Sequence, residues 1–296
     1  MSLWIVATVA AAAAQTLRFA LQKRLGQAGL SATGATFARF LFAAPLAMMA
    51  ATVTMAVLRL PLPVMGPGFW GFVAMGGVAQ IVATELTVRL FLMRNFAVGV
   101  AFTKTEIVLV ALFSALVLGE VPSAMAMVAI ALGFGGVILM ARAPEPGQPM
   151  IGRAALTGLA AGALFGLAAT GYRGAALALE PAPFFLRATV ALAAATSLQT
   201  LMMTAWLGWR DRAEFGRVLT GWRATAPVGI MGMLGSLGWF TAFSLQSAPY
   251  VRALGQVELL FTLAASVLVF HERLRRRDLA GIALIALSVL LLVHVI

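Results

Sequence analysis

Apolar residues fill this chain in unbroken blocks, interrupted only by isolated charges, prolines and glycines. The blocks cover residues 3–22, 32–58, 69–92, 96–118, 122–141, 152–178, 183–207, 224–246, 250–270 and 277–295. A helix needs roughly 20 such residues to cross about 30 Å of hydrocarbon. Backbone in lipid must satisfy its own hydrogen bonds, which leaves helices or a closed barrel. Barrel strands are short and alternate in polarity, and these blocks do neither. The pattern predicts an all-α integral membrane protein of about ten transmembrane helices. The first block, Leu3 to Ala14 ahead of Gln15, has the size of a signal-peptide core but no basic residue before it. It reads as a retained first helix.

Composition supports the same class. Of 296 residues, 62% are hydrophobic and 10% charged, with a mean hydropathy of +0.99. A soluble domain carries about 25% charged residues. The net charge of +11 would point to nucleic acid in a soluble protein. Here most basic residues gather in connections, where they set orientation and meet lipid headgroups. No basic stripe with aromatic platforms exists, so no nucleic-acid partner is expected. Cysteine is absent, which excludes disulfides and thiolate metal sites. His271 and His294 stand at a loop and a terminus, and no Gly-rich phosphate loop is present. Neither a metal nor a cofactor is expected.

The one linker-like stretch, Pro144-Glu145-Pro146-Gly147-Gln148-Pro149, falls near the midpoint. An offset of 152 residues aligns the segments on its two sides without a gap. It places Glu106 on Glu258, Ser114 on Ser266, Glu120 on Glu272 and Ile130-Ala131-Leu132 on Ile282-Ala283-Leu284. Apolar matches are cheap in this composition. Two glutamate matches are not, because the chain has only 10 acids. Nearby offsets place Arg39 on Arg187 and Lys23 on Arg173. The reading is two five-helix units, residues 1–143 and 151–296. Five is odd, so the second unit enters the membrane upside down, as an inverted repeat of the kind many secondary transporters use. Lys and Arg concentrate after odd-numbered blocks, at Lys23, Arg24, Arg94, Arg153, Arg210 and Arg273 among others. That bias places both termini outside the cytoplasm.

Two runs carry a family resemblance. Ala115-Leu116-Val117-Leu118-Gly119-Glu120 is followed by a Pro-containing turn and a helix with Gly133, Gly135 and Gly136. Ser266-Val267-Leu268-Val269-Phe270-His271-Glu272 is followed by a basic turn and Gly281. The pair resembles the EamA-type proteins of the drug/metabolite transporter superfamily, with His271 where that pattern prefers glycine. The resemblance implies a secondary carrier, often an exporter of amino acids or other metabolites, with a cavity between two halves. It also implies cytoplasmic termini, opposite to the loop charge, so orientation stays open.

Ionisable side chains at membrane depth cost about 2.5–3.5 kcal/mol at a helix centre, so each needs a reason. Glu106 lies fourteen residues before Glu120, roughly 21 Å along a helix. Glu258 stands in the same relation to Glu272. An inverted repeat brings both toward one central site, where they can exchange protons or neutralise an ammonium group. The alternative is that Glu106 pairs with Lys104 or a neighbouring arginine and only joins helices. Lys104 has Gln256 as its counterpart, an asymmetry that suits an asymmetric substrate or is mere drift. Arg18, one turn after Gln15, can hold a carboxylate in its fork or snorkel to headgroups beside Lys23 and Arg24. Arg39 and Arg187, at matched positions, can hold a carboxylate in the same way, or sit in the first turns of their helices near an interface. Glu85 and Arg89 suit a helical ion pair. Tyr172 and Arg173 are placed to line a cavity, and Glu120 and Glu272 to cap helices or mark interfaces.

The expected function is secondary transport, as export of a small polar metabolite such as an amino acid or organic anion. Access would alternate around a midplane cavity, with coupling to protons, in a bacterial cytoplasmic membrane. The expected partners are the substrate, membrane lipids and protons. Candidate substrate-binding or coupling residues are Glu106, Glu258, Lys104, Gln256, Arg18, Glu85 and Tyr172. Two other classes fit the helices. An intramembrane enzyme on lipid-linked substrates would need metal-binding acids or histidines at a membrane face. A non-transporting scaffold would leave the matched acids unexplained.

Overall fold

The computed structural model describes residues 2–93, 103–141, 153–268 and 276–295. Every regular element among them is helical. In chain order these are α1 (Leu3–Gln27), α2 (Ala32–Leu58), α3 (Pro67–Met93), α4 (Glu106–Leu118), α5 (Ala124–Ala141) and α6 (Arg153–Leu177). There follow α7 (Phe184–Arg210), α8 (Arg212–Thr220), α9 (Trp222–Leu245), α10 (Ala248–Leu254), a 3-10 turn (Gly255–Val257), α11 (Glu258–Leu268) and α12 (Arg276–Val295). The linker at 144–149, His271 and Glu272 lie outside the described residues.

The block pattern predicts ten spans. Among the described residues, five helices are long and apolar enough to cross a membrane: α1, α2, α3, α7 and α9. The apolar stretches of α4, α5 and α12 are shorter. The main departures fall at 96–118 and 250–270, each read as one continuous span. The second is broken: α10 stops at Leu254, the 3-10 turn intervenes, and α11 starts at Glu258. In the first, Lys104 and Thr105 form a turn and α4 starts only at Glu106. Packing explains the break after Leu254. A Cβ on Gly255 would stand 2.7 Å from the Trp239 ring, so the backbone runs flat against the indole. Irregular backbone at membrane depth is tolerated where protein buries it, and Lys104, Gly255 and Gln256 are all buried. Each break delivers a glutamate to the first turn of a helix. The free N–H groups and the positive end of the dipole there favour a carboxylate.

Helices pack in pairs: α1 on α9, α3 on α6, α2 on α7 and α5 on α12, with α4 against α6 and α11 against α1. Glycines set the approach. A Cβ on Gly171 of α6 would lie 2.9 Å from the Phe72 carbonyl and the Gly76 nitrogen of α3. One on Gly136 of α5 would lie 2.7 Å from the Gly281 carbonyl of α12. Without a hydrophobic force between helices in lipid, such close backbone contact supplies the packing energy. α4 ends at Gly119, whose φ of 70° disfavours a side chain, and this turns Glu120 back toward Ser114.

The short amphipathic helix α8 joins α7 to α9. Asp211 caps it, accepting from the Glu214 N–H at 2.9 Å. Glu214 in turn is buried, pairs with Arg217, and accepts from the Ser31 N–H at 2.6 Å. α8 thereby fastens the start of α2. Trp70, Trp206, Trp209 and Trp222 are exposed, as an interfacial belt requires. Trp4 is instead buried in the core.

Candidate functional site

Four ionisable side chains meet where the two broken segments face each other. Lys104 Nζ stands 2.5 Å from Glu258 Oε2 and 3.4 Å from Glu106 Oε1. Arg252 of α10 completes the set by pairing with Glu106 Oε2. Side-chain exposure is 7% for Arg252 and 3% or less for the other three, so solvent screens none of these pairs. Signs alternate around the quartet and it is neutral as a whole. Mutual pairing offsets the desolvation of each ion, which is several kcal/mol.

Two neutral side chains steady it. Gln15 Nε2 donates to Glu258 Oε2 at 2.8 Å, and Trp239 Nε1 donates to Gln15 Oε1 at 2.9 Å. The Trp239 ring lies 4.6 Å from the Arg252 guanidinium carbon, a cation–π distance. Glu258 Oε1 has no partner among the described residues.

Beside the quartet lies a small cavity of about 20 Å³, room for roughly one water. Its polar lining comes from Gln15, Gln80, Tyr172, Ser236, Trp239 and Arg252. Tyr172 donates to Gln80 Oε1 at 2.9 Å and accepts from Gln199 Nε2 at 3.1 Å, while its ring packs on Phe240. Arg18 and Arg39 adjoin this space. Arg18 Nη1 donates to Gln22 Oε1 at 2.6 Å. Arg39 donates to Thr84 Oγ1 at 2.7 Å and to Ser236 Oγ at 3.4 Å. Arg18 is 1% exposed and Arg39 3%, so protein covers both guanidiniums.

A separate set of polar contacts lies toward each end of the bundle. At one end Arg173 donates to Glu120 Oε1 at 2.8 Å and to the Phe243 carbonyl at 2.6 Å. Arg187 there reaches the Ser244 carbonyl at 3.0 Å and Glu180 at 2.6 Å. At the other end Glu214 holds Ser31, and Thr33 donates to Glu85 Oε1 at 2.9 Å.

Of the residues singled out from the sequence, Glu106, Glu258, Lys104, Arg18 and Tyr172 gather around this centre. Gln256 and Glu85 do not. Gln256 lies against Gly133 of α5, and both ends of its amide lack partners among the described residues. Glu85 pairs with Arg89 at 2.5 Å on the wall of a separate cavity of about 590 Å³, which Trp206 and Arg210 also line. Sequence reasoning missed Arg252, Trp239, Gln80, Gln199 and Ser236. Arg252 lies near the start of the apolar block 250–270. Six positions before Glu258, it would point about 120° away from that residue on a continuous helix; here the break separates the two and Arg252 pairs with Glu106. The available signal was a single cation inside an apolar block.

Residues 152–294 match the model of the EamA-like transporter family. Over that half, the chain belongs to the EamA-like transporters. Its apolar helices and this family make it an integral membrane protein of a transporter family. A crystal structure of a protein 15% identical in sequence superposes with a TM-score of 0.67, covering 98% of this chain and 95% of its own. At that identity the likeness speaks for the fold alone. No curated protein matches the sequence. The EamA-like half contributes Tyr172, Ser236, Trp239, Arg252 and Glu258 to the centre. Residues before it contribute Gln15, Arg18, Arg39, Lys104 and Glu106. Both parts of this EamA-like protein therefore build the site.

Proposed function

We propose that this protein is a secondary carrier that exports a small polar metabolite, an amino acid or organic anion, by alternating access. The observation that carries the reading is the small cavity with polar groups in its lining beside the buried Glu106–Lys104–Glu258–Arg252 quartet, with a separate set of polar contacts toward each end of the bundle. Releasing one set at a time would open the cavity to one side at a time.

The packing supports an architecture of two inverted five-helix repeats, residues 1–143 and 151–296, with ten spans in all. Exchanging the units turns α1 on α9 into α6 on α3, and α4 on α6 into α11 on α1. The pairs α2–α7 and α5–α12 map onto themselves. The helix starts at Glu106 and Glu258 obey the same exchange. The bacterial cytoplasmic membrane is the proposed location, with the basic end that carries Arg24, Arg153, Arg210, Arg212 and Arg217 in the cytoplasm.

Protons are the proposed coupling ion. Protonating Glu258 would release its bond to Lys104 and loosen the quartet. Flux of labelled amino acids and organic acids into proteoliposomes, with and without a pH gradient, tests this beside a Glu106→Gln, Glu258→Gln double variant. Gradient-driven flux is expected in the wild type and lost in the folded variant. Flux indifferent to the gradient, or retained by the variant, would remove the coupling role. Absence of flux for both substrate classes would remove the carrier reading.

A further inference from the structure

We propose that Arg18 and Arg39 form a binding site for a small oxyanion, the carboxylate or phosphate of the transported molecule. The word transported rests on the carrier reading above; the site stands on its own geometry. Both guanidiniums are buried, and no carboxylate among the described residues pairs with either. Their acceptors are neutral: Gln22 for Arg18, and the hydroxyls of Thr84 and Ser236 for Arg39. Arg18 Nη2 has no partner among the described residues. The Arg39 contact to Ser236 is 3.4 Å, long for an N–H···O bond.

The two side chains flank one glycine. A Cβ on Gly232 would stand 3.0 Å from Arg39 Cγ and 3.3 Å from Arg18 Cδ. α9 thus leaves room where a larger residue would push the arginines aside. Phe19 and Phe40 lie under the guanidiniums at 4.1 and 4.9 Å, which softens the burial of the cations without neutralising them. Ser236 lines the central cavity and also contacts Arg39, so the pair is one hydroxyl away from that space.

The charge balance points the same way. The quartet beside the cavity is neutral within itself, and the nearest acid to Arg18 in electrostatic reach, Glu258, is already held by Lys104. Two positive charges remain without a counterion among the described residues. A buried charge with no partner is strongly destabilising. An arriving oxyanion would supply both acceptors, and planar guanidinium forks match its geometry.

The test is thermal unfolding of the purified full chain in detergent, titrated with succinate, with inorganic phosphate, and with uncharged succinamide. Wild type is compared with Arg18→Met and Arg39→Met, which keep bulk and remove charge. The expected result is a saturable rise in Tm with succinate or phosphate and none with succinamide. Each variant should lose at least tenfold in apparent affinity. Succinate alone would mark a carboxylate site, phosphate alone a phosphate site, and either supports the proposal. In anion-poor buffer the variants should be as stable as wild type or more so, because a repelling pair has been relieved. No response to either anion, or an equal response in the variants, overturns the proposal. So does a fall of several degrees for both variants in anion-poor buffer, which would make the arginines structural. Binding is read without transport. A carrier of cationic or neutral metabolites would therefore overturn this site alone, and anion binding without flux would overturn the carrier reading alone.

Discussion

Lys104→Met separates specific pairing from mere neutrality in the quartet. The substitution leaves Glu258 with one side-chain hydrogen bond, from Gln15 at 2.8 Å, and with an oxygen that already lacks a partner. Glu106 keeps Arg252. Lys104 and Glu258 are 3% and 0% exposed, so the loss is that of a broken buried pair, about 3–5 kcal/mol. At about 2–4 °C per kcal/mol for a large domain, Tm should fall by roughly 6–20 °C. The second substitution is the informative one. Glu258→Gln in the Lys104→Met background removes the orphaned charge and keeps the Glu106–Arg252 pair. It should recover stability, with a coupling of about 2–3 kcal/mol. Glu106→Gln in the same background also restores formal neutrality, but it orphans Arg252 and should lower Tm further. Intrinsic fluorescence of the 6 tryptophans reports unfolding of the purified protein in detergent. If Glu106→Gln rescues Lys104→Met as well as Glu258→Gln does, net charge alone matters and the assigned pairs are wrong.

Two further outcomes test the closed ends. In Gly34→Ala, the new Cβ would sit 2.2 Å from Glu214 Oε1 and push that carboxylate off the Ser31 N–H. A loss of about 1–3 kcal/mol is expected for the uncoupled pair, with faster hydrogen exchange at the Ser31 amide; unchanged exchange would mean α8 does not fasten α2. The chain has no cysteine, so Ser236→Cys can be labelled in an otherwise natural background. Labelling by a maleimide should be slow in the closed protein and at least several-fold faster once Arg173→Met removes the bonds to Glu120 and Phe243. Equal rates would show that those bonds do not close the cavity.

Much of the helical layout is legible in the chain. The block 32–58 coincides with α2 and 224–246 lies close to α9, because lipid demands continuous apolar helix. The breaks at Lys104–Thr105 and Gly255–Val257 are not legible, since isolated polar residues such as Lys104, Glu106, Gln256 and Glu258 also fit a continuous helix that faces a cavity. They depend on a surface elsewhere in the chain, such as the Trp239 ring against Gly255. The pairing of Glu106 with Glu258 at one offset marked two members of the centre, since acids are scarce enough for a match to carry information. Arg252 escaped because its partner is set by the break and not by helical spacing. Arg39 escaped for a different reason. Position within a helix sets depth only relative to that helix's own ends, and the fastening of α2 by Glu214 and α8 covers its start with protein.

Lys104 and Gln256 hold matching places in the two repeats proposed above, yet only Lys104 binds the carboxylates. Gln256 packs against Gly133 with its amide unsatisfied. A carrier with two identical halves would populate its two end states equally when empty, since each is the other turned over. An ammonium in one half and an unpartnered amide in the other remove that degeneracy. Even about 1.4 kcal/mol of difference gives a tenfold preference, so the empty protein would wait facing one compartment. The direction in which the cycle most readily begins would then be an equilibrium property of one unmatched residue pair, present before any gradient or ligand is applied.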